Sequence, residues 1–332
     1  MTIRVAVLTE DPDGPSARHR WAWPAKHLAE HGIEVALHAV EPRDRRPLAF
    51  AAAARADITV VHRKMFRARD LRRLRSGLRG RMVYDLDDAV MYRPSGRRRQ
   101  RSLLRTLRFV RMVRLSSLFI AGNDYLKSRG PRRVPCVVVP TPVEMSRYEV
   151  RTEWPDRGRV IGWIGAQSTL PYLLEIAPVL DALTEERSDL VLRIIGPDPT
   201  PFRPRIPRVR IEHVPWTLAG EAAAVSGIDV GILPLPDDLW TRGKCAFKAL
   251  QYMAAGLPVV ASPIGMNTQV VTPGETGFLP RGFEEWKEAL TSLLDDRELR
   301  RETGAAGRRR VEERYATAVV ASRVARVLEG LA

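Results

Sequence analysis

The sequence predicts an α/β architecture, two Rossmann-like domains facing a central cleft, and three observations predict it. Short apolar strands alternate with apolar-periodic helices throughout, both halves open on the same strand, loop and helix grammar, and a proline-bearing polar stretch interrupts the pattern between them. A chain of 332 residues suits two domains, each able to bury its own core.

In the first half Arg4–Leu8 is the opening strand, residues 9–16 are a loop of small and polar residues, and Ala17–His31 is a helix ending at Gly32, where a left-handed residue suits a helix C-terminus. Further strands follow at Ile33–Val40, Ile58–His62, Met82–Leu86, Leu118–Ala121 and Val137–Val139. Pro140-Thr-Pro142 and the polar run through Trp154-Pro-Asp-Arg-Gly158 mark the boundary, which assigns domains 1–150 and 151–332. The second half repeats the grammar with the strand Arg159–Ile164, the loop Gly165–Thr169, the helix Leu170–Thr184 and the strand Leu190–Ile195. Strands are then expected at Val209–His213, Val230–Leu233 and Pro258–Ala261, and helices at Glu284–Leu294 and Tyr315–Leu331, the last a candidate to cross back onto the first domain. Parallel sheets of this kind bind ligands beyond the carboxyl ends of their strands, so a cleft between two of them is the natural site.

Composition narrows the function classes. The chain is 45% hydrophobic and 28% charged, and no apolar run approaches the roughly 20 residues that span a bilayer. The N-terminus enters a strand directly, without the features of a secretory signal, so a cytoplasmic location is expected. Cys136 and Cys245 are far apart and lack a CxxC partner, which points away from a disulfide framework and from zinc. Charge is uneven: residues 1–150 hold 31 Lys and Arg against 15 Asp and Glu, the remainder 23 against 24. Most of the excess lies between Arg63 and Arg114, with 18 basic and 4 acidic side chains, the footprint of an anionic partner or of a merely solvated face.

The most informative stretch runs from Gly231 to Ser262. A strand ends at Pro234, a polar loop follows, a helix is expected to start near Cys245, and Gly256 closes it before the next strand. A helix N-terminus suits phosphate, and Lys244 and Lys248, one turn apart, would stand at its entrance. The chain has 48 arginines and only 6 lysines, so two lysines here stand out; exposed lysines on an ordinary amphipathic helix are the alternative.

This stretch resembles the donor-binding segment of GT-B fold glycosyltransferases, in particular the retaining glycosyltransferase family four (glycosyl transferases group 1). The resemblance rests on Tyr252-Met-Ala-Ala-Gly-Leu-Pro-Val-Val-Ala-Ser262, supported by Gly162-Trp-Ile-Gly165, Arg193-Ile-Ile-Gly196, Val230-Gly-Ile-Leu-Pro234 and Gly274-Glu-Thr-Gly-Phe-Leu279. It covers nearly all of residues 159–332 and implies a nucleoside-diphosphate sugar as co-substrate, transfer to an acceptor hydroxyl with retention, and no metal or other cofactor. Donor contacts are then expected at Gly165, Thr169, Lys244, Lys248, Gln251, Gly265 and Asn267.

The chain departs from the family pattern at four places. Gly243 and Gln251 occupy the positions of the paired glutamates, Gln269 stands for another, and Ala166-Gln-Ser-Thr-Leu170 lacks the usual lysine. An amide still donates to and accepts from ribose hydroxyls, whereas glycine replaces no sugar contact.

In the first half, Ser16 is a plausible N-cap after the loop that begins at Glu10, and Arg18 and Arg20 are candidates to reach phosphate across the cleft. Tyr84-Asp-Leu-Asp-Asp88 ends a strand in three carboxylates. A hard cation would suit such a cluster but belongs to a different glycosyltransferase architecture. By the resemblance, Asp87 stands where many members carry a histidine facing both sugars, so Asp87 or Asp88 is a candidate to orient or deprotonate the acceptor hydroxyl. Pairing with the surrounding arginines is the equal alternative, and it would make either one a poorer base. His62 reads as structural. Residues 97–114 interleave arginines with Leu103, Leu104, Leu107, Val110 and Val113, an amphipathic basic helix suited to an anionic membrane surface and a lipid-linked acceptor. No nucleic-acid module accompanies it. A sugar-nucleotide isomerase of the same fold and a non-catalytic nucleotide-binding or membrane-docking relative are the alternative functions.

Overall fold

The computed structural model describes residues 2–332, which divide into two compact units. The first comprises residues 2–144, 238–245 and 315–332, the second residues 145–237 and 246–314. The chain thus leaves the second unit at Asp238, contributes a short loop to the first, and returns at Ala246.

In the first unit six parallel strands, β1 (Ile3–Thr9), β2 (Ile33–Ala39), β3 (Ile58–His62), β4 (Arg81–Leu86), β5 (Leu118–Ala121) and β6 (Cys136–Val138), lie in the order β2-β1-β3-β4-β5-β6. The apolar runs of β3, β4 and β5 are buried on both faces, as the covered faces of a parallel sheet require. One face packs on a cluster that includes Tyr84, Phe109, Met112 and Phe119. The other packs on Trp21, Leu28 and the C-terminal helix Thr317–Glu329, whose Val320, Val324 and Leu328 are buried. The strand order reverses between β1 and β3, and in such sheets the reversal opens a crevice beyond the carboxyl ends of those strands.

The second unit has β7 (Val160–Ile164), β8 (Val191–Gly196), β9 (Arg210–Pro215), β10 (Val230–Leu233), β11 (Val259–Ala261) and β12 (Gly277–Phe278) in the order β12-β11-β10-β7-β8-β9. The pairs are parallel, and the reversal falls between β7 and β10. At that seam the buried Tyr252 hydroxyl accepts from Ile164 N at 2.9 Å and donates to Ile232 O at 3.3 Å, so it ties the ends of both strands to the helix Phe247–Ala254. Trp163, Leu180, Ile194, Ile232, Trp286 and Leu290 belong to its core.

Three sequence expectations are corrected. The single helix over Ala17–His31 is instead a short turn at Pro15–Ala17, a wide turn at Arg18–Ala22 and a helix at Ala25–Glu30, because Pro24 cannot donate to the ladder. Pro171 likewise tightens the start of Leu170–Thr184 into 3-10 turns over Gln167–Ile176 before the helix Ala177–Glu186. The helix expected near Cys245 starts at Phe247, after Ala246 takes a left-handed backbone (φ 54°) at the crossing between units. Gly32 and Gly256 do close their helices with positive φ, 71° in each.

Candidate active site

In the first unit the carboxyl ends of β1, β3 and β4 gather charged side chains from three loops. Asp85, on β4, is fully buried and accepts from Trp21 Nε1 at 2.8 Å, His62 Nδ1 at 2.8 Å, and Arg20 through both Nε at 3.2 Å and Nη2. Burial alone would raise its pKa, but the charge of Arg20 and the contacts with His62 outweigh burial and hold the Asp85 carboxyl far below the usual range. On the opposite edge of its ring, His62 Nε2 lies 2.8 Å from Ser16 Oγ, whose hydroxyl donates to Asp87 Oδ2. A continuous chain therefore runs from Arg20 through Asp85, His62 and Ser16 to Asp87.

Asp87 and Asp88 also face cations. Arg63 reaches Asp87 at 3.5 Å and Asp88 at 2.9 Å, and Lys244 Nζ lies 3.6 Å from Asp88. Arg63 adopts a left-handed conformation (φ 60°), a strained state for a non-glycine residue; its amide donates to Asp85 O at 2.9 Å. For Asp87, burial is again opposed and outweighed, here by Arg63, His62 and Arg20 together with the Ser16 hydroxyl, so its carboxyl sits below the ordinary range. Arg63 thus pairs with both carboxylates, as the ion-pairing alternative describes, and a carboxylate held ionised in this way is a weak proton acceptor and a good fixed charge. Among the described residues no group of three His, Cys, Asp or Glu is placed to hold a metal ion. The three carboxylates instead turn to cations, Asp85 to Arg20, Asp87 and Asp88 to a shared Arg63, and Asp88 also to Lys244.

Arg20, expected at a phosphate, is buried instead; its remaining Nη1 donates to Val139 O at 2.8 Å. Arg18 donates to Asp13 O of its own loop. His62, read as structural, is the link between Asp85 and Ser16, and only the adjacency of β3 and β4 reveals it.

The loop Asp238–Cys245 belongs to this unit. Asn123 Nδ2 donates to Gly243 O at 3.0 Å and Lys244 O at 3.1 Å, and Tyr125 Oη donates to Leu239 O at 3.2 Å. Cys245 is buried against Gly122, where an added Cβ would lie 2.4 Å from its sulfur. Gly243 explains its own departure from the family's glutamate: a Cβ there would lie 2.6 Å from Ala89 Cβ and 3.1 Å from Leu126 Cδ2. No side chain fits. Lys244, in extended backbone, precedes the helix and pairs with Asp88 rather than sharing a helix face with Lys248.

In the second unit Lys248, in the first turn of the helix Phe247–Ala254, lies 4.3 Å from the centre of the Trp163 ring and donates to Thr169 Oγ1 at 3.2 Å. Its ammonium stands directly over Gly165, where a Cβ would come within 2.6 Å of Nζ. Gly165, Thr169 and Lys248 are thus brought together at the reversal between β7 and β10. The other expected donor residues are not part of this group of contacts. Gln251 is buried, and its amide donates to Tyr148 Oη at 2.9 Å; that hydroxyl donates to Glu221 at 2.8 Å, which also accepts from Trp216 Nε1 at 2.7 Å. Asn267 is buried and donates to Ser262 O at 2.9 Å, holding the turn in which Gly265 takes φ 56°.

Two outcomes follow from this packing. Gly243→Glu should lower the thermal unfolding midpoint by several degrees and fail to raise donor affinity, measured by calorimetry, because the added side chain meets Ala89 and Leu126 rather than open space. Asp85 has its folded pKa depressed, so the stability it contributes is present above the unfolded value of about 4 and is lost as pH falls toward the folded value. The unfolding midpoint of Asp85→Asn should therefore lie well below that of the wild type at pH 7, and the gap should narrow below about pH 4. A gap that stays constant with pH would show that the carboxylate charge is not what stabilises the fold.

With this geometry described, comparison with known proteins adds the following. Residues 158–296 match the family model for Glycosyl transferases group 1. A segment of 118 residues is 39% identical to a phosphatidyl-myo-inositol mannosyltransferase of Mycobacterium leprae, covering 34% of this chain and 30% of that protein. Over 82 residues the chain is 35% identical to a GDP-mannose-dependent monoacylated alpha-(1-6)-phosphatidylinositol monomannoside mannosyltransferase of Corynebacterium glutamicum, covering 24% of this chain and 21% of that one. The matched segments span less than a third of these relatives' own lengths. The structure of HepE of Anabaena in complex with UDP and glucose superposes with a TM-score of 0.74 at 15% identity, covering 99% of this chain and 100% of that one. The two parallel sheets are therefore those of the GT-B fold, and the match to the Glycosyl transferases group 1 model lies in the second of them and its flanking helices.

Proposed function

We propose that the chain transfers a glycosyl group from a nucleoside-diphosphate sugar to an acceptor hydroxyl. The observation that carries this reading is the cluster of Lys248, Thr169 and Gly165 inside the glycosyl transferases group 1 domain, at the strand-order reversal where such sheets bind ligands. In the transfer, the bond between the anomeric carbon and the diphosphate oxygen breaks, a bond from the same carbon to the acceptor oxygen forms, the acceptor loses its proton, and the nucleoside diphosphate departs with the negative charge. Lys248 offers a cation to that diphosphate, and the bare backbone at Gly165 allows close approach; fixed charge aimed at a leaving group is what lowers such barriers. Asp87, held in place by Ser16 and Arg63, supplies a fixed negative charge on the acceptor side. Retention of configuration and independence of metal complete the proposal. So does work in the cytoplasm on the inner face of the membrane with a lipid-linked acceptor, a reading favoured by the phosphatidylinositol chemistry in the relatives' names. Among the described residues no helix is long and apolar enough to cross a membrane.

The direct test is donor consumption, with UDP- and GDP-sugars assayed alongside candidate acceptors and the product's anomeric configuration read by NMR. Transfer with retention in the presence of a chelator is expected; isomerised donor, or binding without turnover, would replace this reading. Lys248→Met should weaken nucleoside diphosphate binding at least tenfold while changing nucleoside binding less than twofold, and equal losses for both ligands would remove Lys248 from the phosphate site. Asp87→Asn should lower kcat at least tenfold with donor Kd unchanged; full activity would dismiss the acceptor-side role.

A further inference from the structure

The helix Leu103–Arg114 buries Phe109, Met112 and Val113 in the core of the first unit and turns the opposite side to water. That water-facing side is not polar. Leu103, Leu104 and Leu107 are 77%, 59% and 53% exposed, and Leu115 beyond the helix end is also exposed. At helical spacing they share their face with Arg111 and Arg114, both exposed, and with Arg108. Leading into the helix, the arginines Arg97, Arg98, Arg99 and Arg101 are exposed and border a depression of about 680 Å³. Its one carboxylate, Asp238, is engaged by the amides of Trp240 and Thr241 at 2.8 and 2.9 Å. Arg105 is different: its Nη1 donates to Val90 O and Tyr92 O at 3.0 Å each, so it fastens the helix to its own unit.

Leucines grouped on a solvated helix face are unfavourable in water unless something covers them. A second apolar face would not account for the arginines among them, and a polyanion such as nucleic acid would account for the arginines but not the leucines. No large exposed aromatic side chain stands in the patch to stack on bases. An anionic bilayer meets both requirements: its headgroups take the guanidinium groups while the leucines enter the boundary between headgroups and acyl chains. We propose that this face, together with the arginine loop before it, docks the first unit on an anionic phospholipid membrane. This inference deepens the membrane location proposed above, but docking requires no donor, so its failure is distinguishable from failure of glycosyl transfer.

The test is co-sedimentation of the full chain with vesicles of phosphatidylcholine alone or mixed with phosphatidylglycerol, without nucleotide. Binding to the anionic vesicles and not the neutral ones is expected, weakening at high salt because surface charges are then screened. Replacing Leu103, Leu104 and Leu107 with Ser should lower vesicle affinity at least tenfold, as should Arg97→Gln, Arg98→Gln and Arg101→Gln combined. Both variants alter exposed side chains, so their unfolding midpoints and nucleoside diphosphate affinities should match the wild type, which separates lost docking from lost folding or a lost donor site. Absence of binding to anionic vesicles at low salt overturns the proposal. Vesicle binding indifferent to the leucine changes overturns it also, as does tighter binding to duplex DNA than to vesicles, measured by fluorescence anisotropy.

Discussion

The buried ion pair between Arg20 and Asp85 is the constraint on which the first unit's site depends. Neither side chain has water to solvate it, so each must find its partners inside the protein, and removing one would leave the other as an uncompensated buried charge. Asp85 satisfies this by gathering Arg20, Trp21 and His62 around its two oxygens. The wide turn over Arg18–Ala22 delivers the first two from the segment after β1, and β3 delivers the third. Once Asp85 fixes one nitrogen of His62, the other can only face Ser16, and Ser16 in turn fixes Asp87. The Asp87 carboxylate is thus positioned through His62 and Ser16 by a core interaction.

The same economy shapes the loop Asp238–Cys245. Asn123 accepts from Leu126 N at the start of its own helix and uses its amide to grip the carbonyls of Gly243 and Lys244. Close packing on Ala89 leaves Gly243 without space for any side chain, so the missing glutamate is the consequence of how this loop lies on its unit, and Lys244 is directed to Asp88. In the second unit Tyr252 plays the corresponding part, bridging the ends of β7 and β10 where Lys248 stands over Gly165.

Each cluster holds its charged side chains in place through neighbours in its own unit. In the first unit Arg63 and Lys244 balance Asp87 and Asp88, and in the second Trp163 lends its ring face to the Lys248 ammonium. Groups held in this way would need little rearrangement in the proposed transfer as charge develops on the leaving diphosphate.

Strand identity and order of appearance were legible in the sequence because alternating apolar runs and turn residues are local properties, and all the expected strands form within one or two residues of their expected bounds. The position of Lys248 in the first turn of a glycine-closed helix was legible as well, since that is a local pattern. Partnership was not. Arg20 and Arg18 look alike as surface residues of one loop, and only the fold turns one into the core against Asp85. His62 acquires its role because β3 and β4 are neighbours, and Gln251 is sealed against Tyr148 by an element a hundred residues away. The amphipathic helix expected over residues 97–114 shows the division most plainly: it forms only at Leu103–Arg114, and the stripe read from its periodicity is split, with Leu103, Leu104 and Leu107 facing water and Val113 joining Phe109 and Met112 in the core, because the side the sheet covers is chosen by tertiary packing.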